Sequence, residues 1–100
     1  MNTHRALSAI FAEKFGLQPR EASVLGALYL NRERPTGPVS LAEQAGASPT
    51  AIHHHLSCLR NDLAPEPIER VRRDGYRLSE AGRAKCRSVV EETRTALEAA

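Results

Sequence analysis

The chain has no tryptophan, two phenylalanines, two tyrosines and two cysteines in 100 residues. So few aromatic residues are unusual for a β-sandwich or barrel, and apolar content dominated by Ala and Leu favours a helical fold. Cys58 and Cys86 are too few for a disulfide scaffold and indicate reduced thiols. No run approaches the roughly 20 apolar residues of a membrane span, and the N-terminus has no signal-peptide pattern. We therefore expect a cytoplasmic protein that has no membrane partner.

Enzyme motifs are also missing from the sequence. It contains no Gly-rich phosphate-binding loop, and no set of Ser, His and Asp is spaced like a nucleophile with its base. One hundred residues suffice for one hydrophobic core and give no reason to expect a second. We therefore expect a single non-enzymatic domain over residues 1–100, without a cofactor.

Charge is distributed unevenly along the chain. The formal net charge of +2 is too small to indicate a nucleic-acid partner by itself. Between positions 70 and 87, however, two residues are acidic and seven are basic, namely Arg70, Arg72, Arg73, Arg77, Arg83, Lys85 and Arg87. A local excess of positive charge of this kind attracts a phosphate backbone.

Apolar residues at helical spacing predict two N-terminal helices. The first covers 4–15 and ends at Gly16. The second covers 19–33, because Pro19 suits the first helical position and Pro35 prevents the helix from continuing. The apolar stripes are Leu7, Ile10, Phe11 and Phe15 in the first helix and Ala22, Leu25, Leu28 and Tyr29 in the second.

Two further helices follow, separated by a very short turn. Ser40 and Glu43 have the spacing of a capping box and predict a helix over 40–46, which Gly46 ends in a left-handed conformation. Ser48 as N-cap and Pro49 at the first helical position predict the next helix, over 49–63. Its apolar face is formed by Ile52, Leu56, Leu59 and Leu63. Two helices joined by so short a turn must cross steeply.

Residues 68–78 change to an alternating pattern and predict a β-hairpin. Asp74-Gly75 is a dipeptide strongly favoured in two-residue hairpin turns. The register that this turn would fix has the cross-strand pairs Arg73–Tyr76, Arg72–Arg77 and Val71–Leu78. In that register one face packs through Val71 and Leu78, and the other face is cationic. The cationic face would carry Arg70, Arg72 and Arg77.

A last helix is predicted over 79–98, with Ser79 as its N-cap. Its apolar line is loose and consists of Ala81, Ala84, Val89, Val90 and Leu97. The outer faces of this helix and of the first one look too apolar for so small a domain to cover. We therefore expect a homodimer through the N- and C-terminal helices.

The predicted fold class is mostly α with a small β-hairpin. The order of two helices, a tight turn, a further helix and a basic hairpin is typical of a winged helix-turn-helix. The hairpin pattern Ile68-x-x-Val71-x-x-x-Gly75-Tyr76-x-Leu78, after Leu59-Arg60-x-x-Leu63, resembles the DNA-binding effector domains of OmpR and PhoB type response regulators. Pro19-Arg20-Glu21 resembles the opening of their first helix, and the segment 78–83 resembles the strand-to-helix junction of MarR-like regulators.

These resemblances imply a transcriptional regulator that binds double-stranded DNA. The helix matching 50–63 would lie in the major groove, and the hairpin 68–78 would contact the adjacent backbone or minor groove. The polar residues opposite the apolar face of that helix are the candidates for reading the groove, namely Ser48, Thr50, His53, His54 and Ser57. The arginines better suited to phosphate are Arg60, Arg70, Arg72, Arg73 and Arg77.

Two alternatives stay open. His54 and Cys58 are four residues apart on one helix and have the right atoms for zinc, but two ligands do not make a site, and a third would have to come from Cys86 or His4. We therefore expect no metal, with His53 and His54 in the groove and His55 at its flank. The second alternative is a protein-interaction module, in which the end helices dock a partner and no DNA is bound.

Overall fold

A computed structural model describes residues 3–99 and contains, within that range, five α-helices and one antiparallel hairpin. The elements are α1 (Thr3–Phe15), α2 (Pro19–Leu30), α3 (Pro38–Ala45), α4 (Ile52–Asp62), β1 (Ile68–Val71), β2 (Gly75–Leu78) and α5 (Glu80–Ala99). A single 3-10 turn, Arg72–Asp74, joins the strands. The prediction of a mostly helical chain with a small hairpin is confirmed. No helix within these bounds combines the length and the apolar character that a membrane crossing requires.

The core lies where α1, α2 and α4 meet the inner side of the hairpin and the start of α5. Phe11, Leu25 and Leu28 are fully buried between the first two helices. The predicted apolar face of α4 is confirmed, since Ile52, Leu56, Leu59 and Leu63 are all buried. Each such aliphatic side chain stabilises the fold by about 1.5–3 kcal/mol when it leaves water. This packing fixes α4, so its opposite face is held outward on a rigid support.

The starts of α3 and α4 differ from the predictions. α3 begins at Pro38 with Gly37 as N-cap, because a proline at the first helical position has no N–H to satisfy. Ser40 therefore lies inside the first turn, where its Oγ accepts a hydrogen bond from Gln44 Nε2 at 3.2 Å, and the predicted capping box is wrong. Ser48 closes a separate turn, with its carbonyl accepting from Ala51 N at 3.0 Å, so α4 begins later than predicted.

Other helix ends follow from local chemistry. Gly46 adopts the predicted left-handed conformation (φ 70°) and ends α3. Ser79 is confirmed as the N-cap of α5, with its Oγ accepting from Gly82 N at 3.0 Å. α2 stops at Leu30 rather than at 33, because the Asn31 side chain donates to Thr36 Oγ1 (2.9 Å) and turns the chain back toward α3.

The buried side of α5 agrees with the prediction at Val89 and Val90 and differs from it at Ala81, Ala84 and Leu97. Ala81 and Ala84 are exposed, whereas Gly82 and Cys86 face the core. Gly82 lies directly against the backbone of Pro67, and a Cβ on it would come within 2.3 Å of the Pro67 carbonyl oxygen. This close approach sets the rotation of the helix, so the buried line continues through the half-buried Val89 and Val90.

Candidate nucleic-acid interface

α4 presents a polar face on the side opposite the core. His53, His54, Ser57 and Arg60 are exposed there, and Ser48 and Thr50 are exposed in the turn that leads into the helix. The turn is held by its own hydroxyls, since Ser48 Oγ lies 2.8 Å from Thr50 Oγ1 and accepts from Thr50 N at 3.3 Å. All five residues predicted to read a groove are therefore accessible on one continuous stretch of chain. Its 11-residue helix is about 16 Å long.

The hairpin has a different register from the predicted one. The observed pairs are Ile68–Leu78, Glu69–Arg77, Arg70–Tyr76 and Val71–Gly75. The predicted pairs and the predicted cationic face of Arg70, Arg72 and Arg77 are therefore wrong. Ile68 and Leu78 are both buried, so the observed register places the two aliphatic strand ends opposite each other on the core side.

Gly75 explains why the two-residue turn does not form. It belongs to β2 and has φ 116° and ψ −141°, a conformation that is almost restricted to glycine. The backbone of residues 36 and 37 crosses it so closely that a Cβ would lie 2.3 Å from the Thr36 carbonyl oxygen. Gly75 is therefore needed in β2 at this crossing and is not part of the turn. The strands are joined instead by the 3-10 turn Arg72–Asp74.

Tyr76 joins three parts of the molecule. Its backbone N–H donates to Thr36 O, and its backbone carbonyl accepts from Thr36 N, both at 2.8 Å. Its side chain, 7% exposed, lies against α4. The phenol oxygen is 3.4 Å from His53 Nδ1, and the guanidinium carbon of Arg60 lies 5.8 Å from the ring centroid, within cation–π range. The hairpin is thus attached to the helix whose polar face it flanks.

The arginines are divided between the two sides of the hairpin. Arg70 is the cross-strand neighbour of Tyr76 and therefore belongs to the side that faces α4. Arg72 and Arg73 are exposed in the turn. Arg77 lies on the other side, where its Nε forms an ion pair with Glu69 and its Nη1 donates to Glu33 O at 3.4 Å. The positive charge beside α4 thus comes from Arg60, Arg70 and the turn.

Both thiols have a pKa raised above the ordinary thiol value. Burial raises the pKa of the fully buried Cys86 thiol to about 12. Partial burial also raises the pKa of Cys58, and the carboxylates of Glu21 and Asp62 add to that effect. Cys58 Sγ lies 3.6 Å from His54 Nε2, so the predicted i, i+4 proximity is confirmed.

A third metal ligand is not positioned beside that pair. Cys86 is in the core, and His4 Nε2 lies 2.8 Å from the Ser23 carbonyl oxygen, in position to donate to it. Over residues 3–99, no three His, Cys, Asp or Glu side chains are grouped to hold a metal ion. The polar groups that this face of α4 and the preceding turn present are hydroxyl, imidazole and guanidinium groups.

Three residues that shape this surface are not among the site residues predicted from the sequence. Tyr76 attaches the hairpin, Thr36 forms an isolated bridge with it, and Glu69 neutralises Arg77. The alternation of Ile68 with Glu69 at the start of β1 is a signal that could have set the register. The contact between Thr36 and Tyr76 spans 40 positions and has no local signal.

Comparisons with known proteins identify no relative. No protein-family model matches the chain, and neither a curated protein nor a solved structure is significantly similar to it. The resemblance to the response-regulator and MarR-like domains therefore stays a prediction.

Proposed function

We propose that this protein is a winged helix-turn-helix that binds double-stranded DNA in a sequence-specific manner, as a transcriptional regulator. The observation that carries the proposal is the two-sided nature of α4. One side is completely buried through Ile52, Leu56 and Leu59, and the other presents exposed hydroxyl, imidazole and guanidinium groups. A rigid helix with short polar side chains on its outer face fits the major groove, which is about 12 Å wide.

The distribution of arginines supports a contact to phosphate beside the groove. Arg60 and Arg70 flank Tyr76 next to α4, and Arg72 and Arg73 extend from the turn. Among the ion pairs of residues 3–99, none involves these four side chains. Their guanidinium groups are therefore available to phosphate oxygens, which bind arginine in bidentate fashion. Arg77 already pairs with Glu69, so we assign it a smaller contribution.

The test is a salt series of duplex binding, measured by fluorescence anisotropy with a labelled random-sequence duplex. Because each phosphate contact releases counterions, Arg72→Gln should weaken binding and lower the log-log salt slope by about 1. Arg77→Gln should change the slope less. Arg94→Gln is the matched control, because it removes the same charge from α5, far along the chain from the hairpin, where Arg94 pairs with Glu91 and Glu98.

Two outcomes would contradict the proposal. If the wild-type protein binds no duplex at low salt, the DNA-binding function is wrong. If Arg72→Gln and Arg94→Gln weaken binding equally, binding follows net charge and the hairpin has no specific role. Selection of bound sequences from random duplex DNA, repeated with His53→Ala, then tests whether α4 reads bases.

We also propose that two copies associate through the terminal helices, chiefly through α5. Leu7 and Phe11 of α1 are buried within one chain, so the predicted apolar outer face of α1 is wrong. Leu97 near the end of α5, in contrast, is 74% exposed. Light scattering at micromolar concentration should give a dimer mass, and Leu97→Glu should give a monomer. A monomeric wild-type protein would rule out this association.

The alternative function is a protein-interaction module. It is favoured by two further exposed apolar side chains, Leu30 (41%) and Val39 (66%), at the end of α2 and the start of α3. A chain that binds no duplex and copurifies with a second protein, losing that protein in Val39→Glu, would support this alternative over DNA binding.

A further inference from the structure

A cleft of about 860 Å³ lies between the turn that follows α2 and the first half of α5. Four arginines line it, Arg32 and Arg34 from the turn and Arg83 and Arg87 from α5. Tyr29, Leu30 and Asn31, at the end of α2 and the start of the turn, also line it. Its volume falls in the range of small-molecule sites, about 300–1,000 Å³.

The cleft has an excess of positive charge. Glu33 is its one lining carboxylate, and it pairs with Arg83, at 2.9 Å from Oε1 to Nη1. Across the described range 3–99, the ion pairs do not include Arg32, Arg34 or Arg87. Three exposed guanidinium groups thus share a concave surface with no carboxylate paired to them, which favours the approach of an anion.

An orphaned polar atom lies at the same place. Arg83 Nε is buried and has no hydrogen-bond partner, although the other end of its guanidinium holds Glu33. A buried N–H without an acceptor is unfavourable, because it has lost its hydrogen bond to water and gained none in the protein. Because Nε is buried, a ligand in the cleft would not reach it without a movement of Arg83, so this atom shows only that Arg83 is tightly packed.

The backbone that presents the arginines is also in an unusual conformation. Arg32 has φ 56°, in the left-handed region that a non-glycine residue adopts only at an energetic cost. The turn is held in place because Asn31 donates from its amide to Thr36 Oγ1 (2.9 Å) and to Gln44 Oε1 (2.8 Å). Two arginines are thus fixed on a preorganised turn, as expected of a binding loop.

The cleft and the surface of α4 lie on different sides of the hairpin. Successive side chains of a strand point to opposite faces. Tyr76 faces α4, whereas the next residue, Arg77, reaches the carbonyl of Glu33 at the edge of the cleft. A ligand in the cleft would therefore contact the turn that Thr36 connects to β2, without occupying the face proposed for DNA.

We propose that this cleft is a binding site for a small polyanion that carries phosphate or carboxylate groups. Its guanidinium groups suit planar or tetrahedral oxyanions, and Tyr29 offers a ring against which an attached organic group can stack. The site is separate from the proposed DNA surface, so ligand binding in the cleft can be tested whether or not the protein binds DNA.

The experiment is calorimetric titration of the full chain with inorganic pyrophosphate at constant, near-physiological ionic strength. We expect one saturable site per chain. Combining Arg34→Gln with Arg87→Gln should weaken pyrophosphate binding about a hundredfold, since each charged hydrogen bond contributes about tenfold to the affinity. The matched control, Arg72→Gln with Arg73→Gln, removes the same charge from the hairpin turn and should leave the affinity unchanged. Circular dichroism melting checks that both variants are folded.

Three results would overturn the proposal. One is the absence of saturable binding by the wild-type protein, and another is equal weakening in the two double variants. The third concerns duplex binding measured without pyrophosphate. The proposal expects the variant that carries both Arg34→Gln and Arg87→Gln to bind duplex like the wild-type protein. If that variant loses duplex affinity as the hairpin variant does, the cleft holds a DNA phosphate and not a free ligand.

Discussion

Replacing Gly75 with alanine tests the crossing between the hairpin and the turn after α2. The new Cβ would lie 2.3 Å from Thr36 O and 2.6 Å from Gly37 N, and both are backbone atoms that cannot rotate away. The conformation at φ 116° costs a non-glycine residue about 1–3 kcal/mol. Separation of the strands would also break the two hydrogen bonds between Thr36 and Tyr76, each contributing about 1 kcal/mol.

We therefore expect Gly75→Ala to lower the free energy of unfolding by roughly 3–5 kcal/mol, a large share of the 5–15 kcal/mol typical of a domain. Urea unfolding followed by circular dichroism measures this loss. Hydrogen exchange of the Thr36 and Tyr76 backbone amides should also be faster in the variant. Gly37→Ala is the control, because it has φ −67° and nothing within 4 Å of its Cβ. It should change stability by less than about 1 kcal/mol. A loss below 1 kcal/mol in Gly75→Ala, or equal losses in both variants, would refute this reasoning.

Two other predictions concern α5. Because burial raises the pKa of Cys86 from 9.0 to about 12, the unfolded thiol ionises first as the pH rises, and stability falls above pH 9. The loss attributable to this thiol should be on the order of 1 kcal/mol between pH 8 and pH 10 and should disappear in Cys86→Ala. Identical pH profiles of the two proteins would refute this prediction. Ser79→Ala should lower the free energy of unfolding, measured in urea, by about 1–2 kcal/mol, because it removes the N-cap and the hydrogen bond to Glu66 O. The control is Ser88→Ala on the same helix, which should not change this free energy measurably because Ser88 is exposed.

The helices could be predicted because their signals are local. The spacing of Ile52, Leu56 and Leu59 identifies the buried face of α4, and that face also identifies the exposed one. Gly46 and Ser79 act on their immediate neighbours, so their roles as helix stop and cap were readable from the sequence. Much of the proposed reading surface is therefore encoded within about 15 residues.

The hairpin register and the arginine cleft could not be predicted, because both depend on distant parts of the chain. Asp74-Gly75 favours a two-residue turn locally, but the backbone of Thr36 requires the glycine at a crossing point. The cleft brings the turn after α2 against α5, about fifty positions later in the sequence. No spacing rule connects Arg34 with Arg87, so only the folded chain places them together.

The backbone bridge between Thr36 and Tyr76 also determines where the chain can be lengthened. Residues 35–37 lie in a connecting loop, yet an insertion there would move one partner of both 2.8 Å hydrogen bonds and detach the hairpin from the body. The turn Arg72–Asp74 is exposed and carries no such bond to another element. Extra residues there add mainly loop-closure entropy, about 0.6 kcal/mol for each doubling of loop length. For stability, the chain therefore accepts extra residues in the hairpin turn better than in the segment from α2 to α3.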